Sequence, residues 1–79
     1  MGQIIFINIC NNRIIGTHLE LNTALKLVRG DVALNNPIGT KVVFISTEFS
    51  NNQDSYLVAI SKVKVNNEIL EVTTNKIYN

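Results

Sequence analysis

The sequence predicts an α+β domain, with one helix packed on a mostly antiparallel sheet of four to five strands in the order strand, short strand, helix, three-strand meander. Three observations predict it. Residues 3–10 are apolar, with isoleucine at alternate positions. Residues 17–30 place apolar side chains at helical spacing between a threonine and a glycine. Residues 40–74 are β-branched segments punctuated by asparagine-rich turns.

The first element spans Gln3 to Cys10. Ile5, Ile7 and Ile9 fall on one face, and Ile4, Phe6 and Cys10 on the other, interrupted by Asn8. Apolar residues on both faces predict a central strand covered on both sides. Asn11-Asn12 is a turn signal, because asparagine tolerates positive φ, and Arg13 to Ile15 reads as a short second strand.

Thr17 and Glu20 have the spacing of a helix capping box, and Leu21, Ala24, Leu25 and Val28 form one apolar stripe. Gly30 stands where a C-cap glycine belongs, with Lys26 and Arg29 near the negative end of the dipole. The predicted helix covers 18–29. Asp31 to Gly39 is then a connector, in which Asn36-Pro37 opposes regular structure.

Thr40 to Phe49 is the next strand, with Val43, Ile45 and Phe49 on one face and Val42 and Phe44 on the other. Ser50 to Asp54 is a polar turn, and Ser55 to Val65 the following strand. Asn66-Asn67 closes a two-residue hairpin onto Glu68 to Thr74. Pairing Val65 with Glu68 sets Val63 against Leu70 and Ser61 against Val72 on one face, and Lys62 against Glu71 on the other. That register gives one mostly apolar face and one ion-paired face.

The 79 residues form a single domain, residues 1–79. A chain this short buries only roughly 60–65% of its unfolded surface, so its core is thin and a partner subunit, disulfide or metal is expected to help. Cys10 is the lone cysteine and His18 the lone histidine, too few for an internal disulfide or a zinc site of about four ligands. No metal or cofactor is expected, and a homo-oligomer is. The net charge of +1, from seven basic and six acidic residues, argues against duplex DNA as a partner. No segment approaches the ~20 apolar residues of a membrane span. The run Ile4 to Ile9 lacks the length and positive flank of a secretory signal, so the cytoplasm is the expected compartment. Abundant asparagine and isoleucine, which like lysine have A/T-rich codons, fit an AT-rich, virus-like genome, and equally a β-rich protein with asparagine turns.

Three sets of residues are candidate contact sites. At Ile15-Gly16-Thr17-His18, a glycine bend entering a helix would present free N–H groups to a small anionic, nucleotide-like ligand. Arg13, Gly16, Thr17 and His18 are its candidate ligand-binding residues, with His18 the alternative catalytic acid. The plain counterpart is an N-cap threonine before an exposed histidine. Tyr56, Val58 and Ile60 share a face with Lys62 and Lys64, as a candidate interface or as core under the helix. Lys62 and Lys64, with Lys41, could contact an acidic partner or form a solvated strand face. Cys10, in an apolar strand without basic neighbours, reads as a small core residue. No nucleotide-binding or nucleophile motif surrounds the serines and threonines. A phosphodiesterase using the substrate's own ribose hydroxyl is the enzyme class that this inventory discourages least.

Asn8 closing Ile5-Phe6-Ile7-Asn8, the segment Ile15-Gly16-Thr17 leading to Gly30, and Ile60-Ser61 through Ile69-Leu70 resemble the small viral ring-nuclease family, the type III anti-CRISPR proteins that degrade cyclic oligoadenylate. The family's histidine position falls on Thr17, with His18 one step later, and its glutamate-glycine turn falls on Val65-Asn66-Asn67. Its C-terminal helix and strand have no counterpart here. With those departures the resemblance implies nucleotide binding without cleavage. The expected function is a non-enzymatic binding protein that inhibits a protein partner or sequesters a small anionic ligand. The alternatives are metal-independent cleavage of a cyclic or single-stranded oligonucleotide, with His18 as acid, and a homo-oligomeric assembly subunit.

Overall fold

A computed structural model describes residues 2–52 and 56–78. It is an α+β fold of seven elements: β1 (Ile4–Cys10), β2 (Arg13–His18), α1 (Leu21–Lys26), α2 (Val28–Leu34), β3 (Val42–Phe49), β4 (Leu57–Val65) and β5 (Glu68–Tyr78). The strands make one sheet in the order β2-β1-β5-β4-β3, with every pairing antiparallel. Of the turn expected over Ser50 to Asp54 and the strand start at Ser55, residues 53–55 lie outside the described residues.

Two turns organise the sheet. Asn11 and Asn12 have φ of 54° and 63°, and Asn66 and Asn67 have 48° and 72°. Two consecutive positive φ values are the requirement of a type I′ hairpin turn, whose twist matches that of the flanking strands. The second turn produces the expected register: Val65 pairs Glu68, Val63 pairs Leu70, Lys62 pairs Glu71 and Ser61 pairs Val72. β5 continues past the expected Thr74 to Tyr78, because β1 lies along its other edge and pairs Ile4 with Tyr78 and Ile9 with Thr73.

Helical structure departs from expectation. The single helix over 18–29 is two short ones, 21–26 and 28–34, divided at Leu27 with φ −98° and ψ 9°. Thr17 is no cap, because the Asn11-Asn12 hairpin carries β2 through His18, where it pairs with Phe6. Glu20 is the N-cap residue of α1 and makes no side-chain cap bond. Gly30 lies inside α2 rather than beyond a helix end, so the connector begins later than Asp31. The buried pair Val28 and Val32, one turn apart, extends the apolar stripe past the glycine. Asn35 and Asn36 then close α2 by donating from their side chains to the carbonyls of Asp31 and Val32, at 2.8 and 2.7 Å. Pro37 follows.

Val28 and Val32 pack on Cys10, Val63 and Val72, with Ile15, Val42, Val65 and Leu70 at the margin. The strand residues of this core share one face by register, so both helices cover that face. The reverse face holds Ile5, Ile7 and Ile9 of β1 with Ile60 and Ile77. Among the described residues no helix packs there, yet Ile7 is buried and Ile5 and Ile9 are half-buried, so β1 is shielded on both faces although helices cover only one. No described helix is long and apolar enough to cross a membrane.

Candidate functional site

Asn8 interrupts the apolar run of β1 and is fully buried beneath the helices. A buried amide is tolerable when its donors and acceptor are met, and here they are. Its Nδ2 donates to the Ala24 carbonyl and to Asp31 Oδ2, both at 2.9 Å. Its Oδ1 accepts from the hydroxyl of Thr74, buried on β5, at 2.6 Å. One side chain thus ties β1 to β5, α1 and α2.

Asp31 enters from α2 with its side chain only 8% exposed. Besides Asn8, its Oδ2 receives His18 Nε2 at 2.8 Å, the imidazole being 11% exposed. A carboxylate oxygen that only accepts requires the ring nitrogen to donate, which assigns a hydrogen to Nε2 and directs Nδ1 away from Asp31. Gly16 completes the site. It pairs with Asn8 across the β1–β2 ladder, and a β-carbon there would fall on the Asp31 carboxylate. Missing side-chain volume at one strand position is what admits the carboxylate.

Gly16 and His18 therefore converge on Asp31. The two other candidate ligand residues do not. Thr17 pairs with Ile7 and belongs to the reverse face of the sheet. Arg13 begins β2 opposite Cys10, exposed and five positions from His18, about 16 Å along an extended strand. The bend expected at Gly16-Thr17-His18 is strand, its backbone committed to the ladder with β1.

At the candidate interface, the β4–β5 register shifts between Leu57 and Ala59. This bulge breaks the alternation that would align Tyr56, Val58 and Ile60. Tyr56 instead meets Tyr78 edge-on, ring centroids 6.5 Å apart, while Ile60 lies on the reverse face with Lys62 and Lys64. Val58 is half-buried beside the bulge. Lys41 and Lys64 line one hollow with Val43 beside the Asn66-Asn67 turn. Cys10 is buried in the core, and burial pushes its thiol pKa up.

Asp31, Asn8 and Thr74 went unmarked as a set by the sequence, although two signals were present. Asp31 sits on the helical stripe between Val28 and Val32, and Asn8 stands within an isoleucine strand. Each is a polar residue at an apolar position, which calls for a buried partner. Chemically, an imidazole backed by a buried carboxylate is oriented for proton exchange at its free nitrogen. Among the described residues no group of three or more histidine, cysteine, aspartate or glutamate side chains is placed to hold a metal ion. The chain matches no protein-family model, no curated protein and no solved structure.

Proposed function

We propose that this protein is a small cytoplasmic binding protein that acts by occupying a protein partner and works as a homo-oligomer. The observation that carries the reading is the reverse face of the sheet, where half-buried Ile5, Ile9, Ile60 and Ile77 collect around buried Ile7, opposite both helices. Around them lie the charged positions Lys62, Lys64 and Glu71. An apolar centre with a polar rim is the anatomy of a protein-contact surface. Sequestration of a small anion has weaker support, since Asp31 already supplies the negative charge beside Gly16 and His18.

The test is cross-linked capture from the native host with wild-type protein and with Ile60→Lys, after matched circular dichroism and melting curves. Loss of one defined partner with Ile60→Lys is the expected result. Identical recoveries by both proteins would overturn the reading.

A second reading rests on the His18–Asp31 pair. Here His18 would serve as general acid in metal-independent cleavage of a cyclic or single-stranded oligonucleotide whose own ribose hydroxyl attacks. His18→Ala should then lower the rate by at least ~10²-fold. Turnover unchanged in that variant would remove the reading.

A further inference from the structure

β3 ends the sheet, and among the described residues nothing pairs with its outer edge. Edge strands in natural proteins are commonly short, charged or covered. β3 is eight residues long, carries Glu48 as its single charged residue, and leaves Val43, Phe44, Ile45 and Phe49 between 43% and 58% exposed. Those features describe a strand that expects a neighbour.

The backbone says which groups face that neighbour. The Lys41 carbonyl accepts from Asn66, and the Ser50 N–H donates to Val58, so both residues turn inward to β4. Alternation from each end turns Val42, Phe44, Thr47 and Phe49 outward. The two phases are reconciled by the bulge between Phe44 and Ser46, where Ile45 is the extra residue. That insertion brings Val42 and Phe49, which unbroken alternation would turn opposite ways, to the same outward edge.

We infer that β3 pairs antiparallel with β3 of a second copy, about a two-fold axis at Ile45-Ser46, to make a continuous ten-stranded sheet. The inference deepens the homo-oligomer part of the proposed function and does not use the isoleucine face. Overlap of the whole strand permits one two-fold register, and it is self-complementary. Val42 meets Phe49 of the second copy, and Phe44 meets Thr47, each pair occurring twice and on the helix-covered side. On the reverse side Glu48 meets Val43, with Lys41 diagonal to it and Lys64 beside Val43 across the β3–β4 ladder. Each carboxylate thus finds two ammonium groups of the other copy, while the like charges of Glu48 and its copy stay apart. An isologous contact of this kind closes on itself and leaves no growing edge at β3.

The test is sedimentation equilibrium of the full chain and four variants. Wild type should sediment as a dimer of the 8.8 kDa chain. Phe49→Pro removes an outward N–H and spares the β4 ladder, and should weaken the dimer by about tenfold or more. Glu48→Lys, an exposed change that needs no refolding of the edge, should weaken it likewise by opposing Lys41 and Lys64. Mixing Glu48→Lys with the double variant Lys41→Glu, Lys64→Glu should restore a heterodimer, since both seams then pair opposite charges. A monomeric wild type overturns the inference, as does a dimer that survives both Phe49→Pro and Glu48→Lys. A dimer lost in Ile60→Lys and retained in those two overturns the β3 seam while leaving the contact reading of the isoleucine face standing.

Discussion

The Asp31 carboxylate occupies the space that a side chain at Gly16 would fill. The glycine of β2 and the aspartate of α2 are therefore one fitted pair, with Asn8 and His18 closing round the same oxygen. The glycine serves close approach of a side chain from another layer, a role distinct from conformational freedom at a bend.

Gly16→Ala should destabilise the fold by about 2–4 kcal/mol, because the carboxylate must leave its two donors or the helix layer must lift. Asp31→Ser frees the space at the cost of those bonds. The two changes should be non-additive, the double variant being more stable than the sum of the single losses requires. Urea unfolding of the four proteins in the cycle measures this, and strict additivity would contradict the fitted pair.

Asn8→Leu should cost more than an ordinary apolar exchange in the core. It strands the Thr74 hydroxyl and the Ala24 carbonyl and leaves Asp31 Oδ2 with His18 alone, a loss of about 3–5 kcal/mol. Asn8→Asp places a second carboxylate against Asp31 and should be at least as damaging at neutral pH. Thermal melts of both variants at pH 7 provide the check. A melting temperature within a degree or two of wild type would mean that the network carries little stability.

Cys10 should resist alkylation in the native state, because the thiol is buried and its pKa is raised. Modification by iodoacetamide should proceed in proportion to the small population of opened molecules, and fast labelling of native protein would contradict the placement. The same shift has a sign for stability. The unfolded chain loses the thiol proton first as pH rises, so the contribution is complete below the unfolded pKa and is lost as pH rises through the folded one. Cys10→Ala should lack that alkaline component, seen as a shallower fall in stability above about pH 9.

Asn67→Ala should cost about 1–2 kcal/mol, since alanine gains nothing at φ 72° and the asparagine side chain tolerates it. Asn67→Gly should equal or exceed wild type, as Asn-Gly is the preferred type I′ pair. Equal stability of the alanine and glycine variants, by chemical denaturation, would show that this turn imposes no left-handed requirement.

Much of the sheet was legible in the sequence, and the particular residues show why. Asn11-Asn12 and Asn66-Asn67 act through the conformational preference of the residue itself, which needs no tertiary partner. Once the second turn is placed, a period of two sets Ser61 against Val72 and Lys62 against Glu71 without further information. The bulges at Ile45 and Val58 were not legible, because they answer to register on a neighbouring strand. They redistributed the faces of β3 and separated Tyr56 from Ile60.

The candidate site divides along the same line. Sequence alone brought Gly16 and His18 into one short segment and marked Asn8 as an intruder in an apolar strand. It also determined the α+β class, both hairpin turns and the β4–β5 register, all of which follow from preferences acting over a few residues. Tertiary structure decided that Thr17 would join a ladder instead of capping a helix, and that Asp31 would descend between Gly16, Asn8 and His18. It also brought Thr74 to Asn8 from 66 positions away. Those outcomes depend on which layers meet and how much volume each leaves for the other, and a local reading of side-chain periodicity contains neither quantity.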